Sequence, residues 1–202
     1  MKRINKISNE NGAFFCEGDC LVGFSSYNSD VVSFLRGMTG EDRLSYSGYR
    51  ESFGAFAVPE GIRKVGRYFL SFNEPDPYSL QSGLFVDSEV KGELMLPDSL
   101  RYIGMHFFMG AVIGRLTLPR ELRGISCGAF LRSTVGELIV PRGFGENIRG
   151  GYDEPDEAGV VEVGGRQFKE SYIEKLYLPE EFKGNVKRAL FPEANIGEII
   201  RY

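Results

Sequence analysis

Short apolar–polar alternations, each closed by a proline, recur along the chain. Gly54 to Pro59 reads GAFAVP, Gly92 to Pro97 GELMLP, Gly114 to Pro119 GRLTLP, Gly136 to Pro141 GELIVP and Glu174 to Pro179 EKLYLP; a truncated sixth copy starts at Gly197 and runs to Tyr202. Phe56/Val58, Leu94/Leu96, Leu116/Leu118, Leu138/Val140 and Leu176/Leu178 point one way and the residues between them the other, the period of a half-buried strand. Proline then stops the strand, because it has no N–H to donate and fixes its own φ. The five prolines are 38, 22, 22 and 38 residues apart, so two copies carry 16 extra residues, placed near 71–90 and 145–162.

A second motif follows each proline. An apolar residue comes three on (Ile62, Leu100, Leu122, Phe144, Phe182), and in three copies another six on (Val65, Ile103, Ile125), followed by Gly66, Gly104 or Ser126. A large apolar residue follows four later (Leu70, Phe108, Phe130), and Gly164 and Phe168 restore the register after the second insertion. One such coil cannot bury its apolar face alone, whereas stacked coils bury a continuous column. The pattern therefore predicts a solenoid over 53–202, with parallel strands at Gly92–Leu96, Arg115–Leu118 and Glu137–Val140 and a buried column of Phe108, Phe130 and Phe168. Residues 1–52 read as its N-terminal cap. Asn11-Gly12 and Glu17-Gly18-Asp19 signal turns of a β-meander. Ser29 reads as the N-cap of a short helix presenting Val31, Val32, Phe34, Leu35 and Met38, with Gly40 beyond its end.

The pattern Leu-x-Leu-Pro-x-x-Leu-x-x-Ile-Gly-x-x-x-Phe, best developed over residues 92–141, resembles the BspA-type bacterial leucine-rich repeat. The resemblance covers roughly 54–70, 92–141 and 163–200. It implies a right-handed α/β repeat solenoid, mostly β and loop, with one short parallel strand per coil. It also implies a protein-binding or surface-recognition role without enzymatic activity. That family often carries cysteine three residues after the phenylalanine; Ala111, Ser133 and Ser171 stand there instead.

Composition narrows the function classes. Twenty-four basic against 28 acidic side chains leave a net charge of −4, which argues against a general nucleic-acid binder. No run of 18 apolar residues predicts a membrane span. The basic start Met1 to Lys6 leads into polar residues rather than an apolar stretch, so a cytoplasmic location is expected; a processed fragment would instead point to the cell surface or secretion. Three cysteines suit a reducing compartment.

Gly124-Ile125-Ser126-Cys127-Gly128 fits the G-x-S-x-G elbow, but the single histidine, His106, precedes the serine, and Ser126 sits where Gly66 and Gly104 make a turn. Cys16, Cys20, Cys127 and His106 do not have the paired spacing of a structural zinc site. The Glu-Pro-Asp runs within 73–78 and 152–157 supply carboxylates for calcium but lack the EF-hand glycine and spacing. No cofactor is expected. Arg63, Arg101, Arg123 and Lys183 form a basic stripe four residues after each proline, with Glu60, Asp98, Glu121 and Glu180 beside it to neutralise it.

The outward strand face carries the functional expectation. One column reads Ala55, Glu93, Arg115, Glu137, Lys175, Glu198, alternating in sign from Glu93 onward, a ladder that sets register. Two residues on, the column Ala57, Met95, Thr117, Ile139, Tyr177, Ile200 is apolar, and contiguous exposed apolar surface marks interaction sites. The expected function is a non-enzymatic module binding a protein or peptide through Met95, Thr117, Ile139, Tyr177 and Ile200. The alternatives are a structural or surface-antigen module without a ligand groove, or a column covered by the cap or an insertion.

Overall fold

A computed structural model describes residues 4–26, 33–34, 52–65, 85–104, 106–126, 128–144, 167–182, 191 and 193–202. Five long strands, β8 (Glu89–Met95), β10 (Val112–Thr117), β12 (Thr134–Ile139), β13 (Tyr172–Leu178) and β14 (Asn195–Arg201), lie side by side in one parallel sheet. The short β5 (Ser52–Phe53) and β6 (Phe56–Ala57) pair with β8 on the opposite side from β10. The register is that of the hexads: Arg115 faces Glu137, Leu116 faces Leu138 and Thr117 faces Ile139, and the same steps continue to Lys175, Leu176 and Tyr177. Each long strand starts two or three residues before the expected position, so Gly92, Gly114 and Gly136 fall mid-strand. There the backbones approach so closely that a Cβ on Gly136 would stand 2.6 Å from Gly114 O, and glycine is required for contact rather than for turning.

Two expectations change. The repeats after Pro59, Pro97 and Pro119 carry a second strand, not one: β7 (Lys64–Val65), β9 (Tyr102–Ile103) and β11 (Gly124–Ile125) pair in parallel in a second sheet. Among the described residues there is no helix, so the architecture is mostly β rather than α/β. Two kinds of tight turn recur between the strands of the described repeats. In the first, the proline carbonyl accepts the N–H three residues on, as in Leu100 to Pro97 (2.9 Å) and Leu122 to Pro119 (3.1 Å). In the second, the phenylalanine carbonyl does the same, from Ala111 to Phe108 and from Ser133 to Phe130 (both 3.1 Å). This second turn holds Asp87, Arg132 and Glu170 at φ near +57°, in the column where Gly110 has φ +70°. Their N–H groups are locked to the next coil (Arg132 to Lys169 O, 3.0 Å), which holds residues that seldom adopt this conformation.

The aromatic column is longer than the sequence pattern indicates. Phe108, Phe130 and Phe168 stack with centroids 5.2 and 4.5 Å apart and nearly parallel planes. Phe85 joins at one end (5.8 Å) and Phe191 at the other (5.1 Å). Phe85 stands twelve residues before Pro97 where Phe108 stands eleven before Pro119. The extra residue is in β8: the ladder to β10 slips between Val90 and Glu93, so Lys91 and Gly92 together oppose Gly114. Leu70 lies outside the described residues.

The expected meander is present as β1 (Ile4–Asn9), β2 (Gly12–Glu17) and β3 (Cys20–Ser26), each antiparallel to the next, and β3 pairs in parallel with β7. It closes the first end of the stack. Phe14 and Phe24 pack their rings on each other (4.8 Å), Phe24 on Phe56 (5.3 Å) and Phe56 on Phe85 (4.9 Å), so one chain of aromatic contacts runs from cap to last coil. The β1–β2 turn also reaches the edge strand β6. Asn11 accepts the Ala57 N–H (2.8 Å) and donates to Ala55 O (3.0 Å), while Asn9 donates to Ala57 O (2.7 Å). Two side-chain amides thus take the place of a neighbouring strand and close an edge that is otherwise a template for pairing. Of the short helix expected after Ser29, only Ser33 and Phe34 are described. They form β4 (Ser33–Phe34), an extended segment antiparallel to β3.

Candidate outward-face binding site

The candidate column is assembled by strand register. Ala57 lies beside Met95, Thr117 beside Ile139, Ile139 beside Tyr177 and Tyr177 beside Ile200. Alternation sends their neighbours Leu94, Leu116, Leu138 and Leu176 into the core, all fully buried, which fixes the column on the opposite, outward face. Met95 is 41% exposed, and Thr117, Ile139, Tyr177 and Ile200 are half-buried. Insertion residues 71–84 and 145–162 lie outside the described residues; the rest of the first insertion, 85–90, leads into and begins β8.

The charge ladder runs alongside. Arg115 lies between Glu93 (3.9 Å) and Glu137 (3.7 Å), and Lys175 is in register with both Glu137 and Glu198. The Tyr177 hydroxyl donates to Glu137 Oε1 (3.4 Å), tying the apolar column to the charged one. On the far side of the ladder the close-packed glycines leave an open trench of 480 Å³, floored by Gly92, Gly114 and Gly136 and walled by Lys91, Glu93, Arg115, Glu137, Glu174 and Lys175. Beyond it stand Val112 and Tyr172, both exposed, on an outer column that the hexad pattern missed because it precedes the leading glycine. The face is therefore a charged, balanced ridge between two banks that expose apolar side chains.

The other candidates fall elsewhere. Ser126 follows a two-residue strand and makes a turn, donating its N–H to Ile103 O (2.8 Å) and accepting from Ala129 (3.2 Å). The strand-to-helix turn of a nucleophile elbow is absent there among the described residues. His106 is buried at φ +53°, with its imidazole laid over Gly128, where a Cβ would come within 2.8 Å of the ring. Cys16 is buried on β2, and burial, aided by Cys20 and Asp19, pushes its thiol up to about 11. Cys127, Lys183 and both Glu-Pro-Asp runs lie outside the described residues. Among the described residues no group of three or more His, Cys, Asp or Glu side chains converges on a metal-sized site.

The basic stripe is stacked in register through Arg101 N–H to Arg63 O and Arg123 N–H to Arg101 O (both 2.8 Å). Its expected neutralisation by Glu60 and Asp98 does not take the form of ion pairs. Glu60 accepts the N–H groups of Asp98 (3.0 Å) and Ser99 (3.4 Å), Arg101 donates to the carbonyls of Asp98 (2.7 Å) and Leu100 (3.1 Å), and Arg63 reaches Asp19 (3.9 Å). Backbone groups at the turns compete for these side chains, a demand invisible in the order of charges. Compared with protein-family models, curated proteins and solved structures, the chain matches none.

Proposed function

We propose that the chain is a non-enzymatic recognition module, a right-handed leucine-rich-repeat solenoid of the BspA type that binds a protein or peptide partner across the outward face of its long strands. The observation that supports this reading is the column in which Thr117, Ile139, Tyr177 and Ile200 stand in register on four strands, with the exposed Met95 following Leu94 of the paired β8, all on the face opposite the buried leucines. Tyrosine, methionine and isoleucine provide apolar contact area, and tyrosine adds a polar tip. The neighbouring ladder supplies fixed alternating charge, which favours register and selectivity over raw affinity.

The test uses the intact chain as bait in extract of the native organism, beside the Ile139→Ser, Tyr177→Ser double variant. A partner held by the parent and lost by the double variant, with the melting temperature within a few degrees, supports the reading. Capture that is indifferent to both substitutions refutes it, as does unfolding of the variant, which would make the column part of the core.

A further inference from the structure

The outward face has a charge period of its own. Glu93, Arg115, Glu137, Lys175 and Glu198 alternate strand by strand, each in register with the next. Adjacent strands lie about 4.8 Å apart, so like charges recur at every second strand, about 9.6 Å apart. Three carboxylates therefore stand at equal intervals along a line that crosses the strands. Glu93 and Glu137 share one guanidinium, that of Arg115, at 3.9 and 3.7 Å. Those separations exceed the roughly 2.7–2.9 Å of a direct charge-assisted hydrogen bond, so both carboxylates keep acceptor positions for another cation. Glu198 is exposed on the same line.

The interval selects the conformation of a linear partner. In an extended strand, side chains on one face recur about every 6.8 Å, and the residue three on, at about 10 Å, points the other way. An α-helix brings a side chain to one face about every 5.4 Å and drifts by about 2.4 Å over the four steps from Glu93 to Glu198. A polyproline II helix repeats every third residue, about 9.3 Å, and stays within about 0.6 Å of the carboxylates over both intervals. The two banks suit the same ligand. β13 places Tyr172, 47% exposed, on one side of the ladder and the half-buried Tyr177 on the other. Tyr172 leans toward β14, where a Cβ on Gly197 would stand 3.2 Å from its hydroxyl. Proline-rich segments dock on aromatic-lined surfaces, and their preset φ leaves little entropy to lose on binding.

Resting on the reading of the outward face as the binding surface, we infer that it takes a polyproline II segment lying across the strands, with lysine or arginine at every third residue opposite Glu93, Glu137 and Glu198. The intervening residues are proline or small and neutral, because Arg115 and Lys175 stand half-way between the carboxylates and reject further cations. The repeated cation fixes the register, and the prolines fix the spacing between cations.

The probe is a labelled (Lys-Pro-Pro)3 peptide, beside a control of the same composition with its three lysines adjacent. Fluorescence anisotropy with the intact chain should show saturable binding of the first, at least tenfold tighter than that of the control. Glu137→Lys should weaken it at least tenfold, and a peptide with glutamate in place of its central lysine should recover binding to that variant. Glu93→Lys, read with the first or last lysine of the peptide exchanged, repeats the swap at a more exposed carboxylate where the first variant melts early. No saturable binding at millimolar peptide, equal binding of the control, or swaps without recovery overturns the inference. Tighter binding of a helical peptide with lysine and glutamate alternating at four-residue spacing overturns it as well. The surface itself survives those results if the Ile139→Ser, Tyr177→Ser variant still loses the native partner; capture indifferent to that variant refutes the surface.

Discussion

Replacing Phe130 by alanine is the sharpest perturbation of the stack. The ring is fully buried and lies parallel to two others, 5.2 Å from Phe108 and 4.5 Å from Phe168. Truncating a buried phenylalanine costs about 3–5 kcal/mol from lost transfer energy and the cavity left behind. Two ring contacts are lost together, each about 0.5–1.5 kcal/mol beyond area burial, which places the expected loss in the upper half of that range. The flanking turns cannot collapse into the space, because Phe108 and Phe130 each donate an N–H to the next coil (to Ala129 O at 2.8 Å and Gln167 O at 2.9 Å). Urea titration followed by circular dichroism measures the loss, and the melting temperature should fall by roughly 8–20 °C for a domain of this size. Phe130→Leu, which refills much of the volume, should recover more than half. A loss below about 1 kcal/mol with an unchanged m-value would refute the buried column and the register behind it.

Three further outcomes follow from the same geometry. Asn11→Ala strips the Ala57 N–H and Ala55 O of their partners and should cost about 1–2 kcal/mol, with faster amide exchange at Ala57 by NMR. Gly110→Ala should cost at least about 1–2 kcal/mol in a denaturant melt, because the position has φ +70° and a Cβ there runs into the Asp87 carboxylate. The Cys16 thiol, pushed up to about 11 from an ordinary value of 9.0, binds its proton more tightly folded than unfolded; its contribution to stability is complete below pH 9 and lost as pH rises through 11. Replacing Cys16 by alanine should therefore flatten the alkaline limb of stability against pH between those values.

What the sequence alone determined is whatever the repeat states many times over. A 22-residue period, apolar alternation in the hexads and phenylalanines at fixed offsets from proline together locate the long strands, the Leu94–Leu176 core column, the Phe108–Phe130–Phe168 stack and the alternating ladder, because each is a local signal copied from coil to coil. Features without periodicity needed the tertiary structure. Strands of two residues, such as Tyr102–Ile103, are too short to show alternation and exist only because their neighbours in the stack pair with them. The extra residue at Lys91 hides Phe85 from any count of spacings, and only the ladder between β8 and β10 shows where the slip is absorbed. The Asn9 and Asn11 amides meet Ala55 and Ala57 across 44 or more residues of sequence, a closure that no local pattern encodes. Burial is likewise decided by neighbours: Leu176 and Ile199 hold equivalent places in the pattern, yet one is core and the other half open, because among the described residues only the first has strands on both sides.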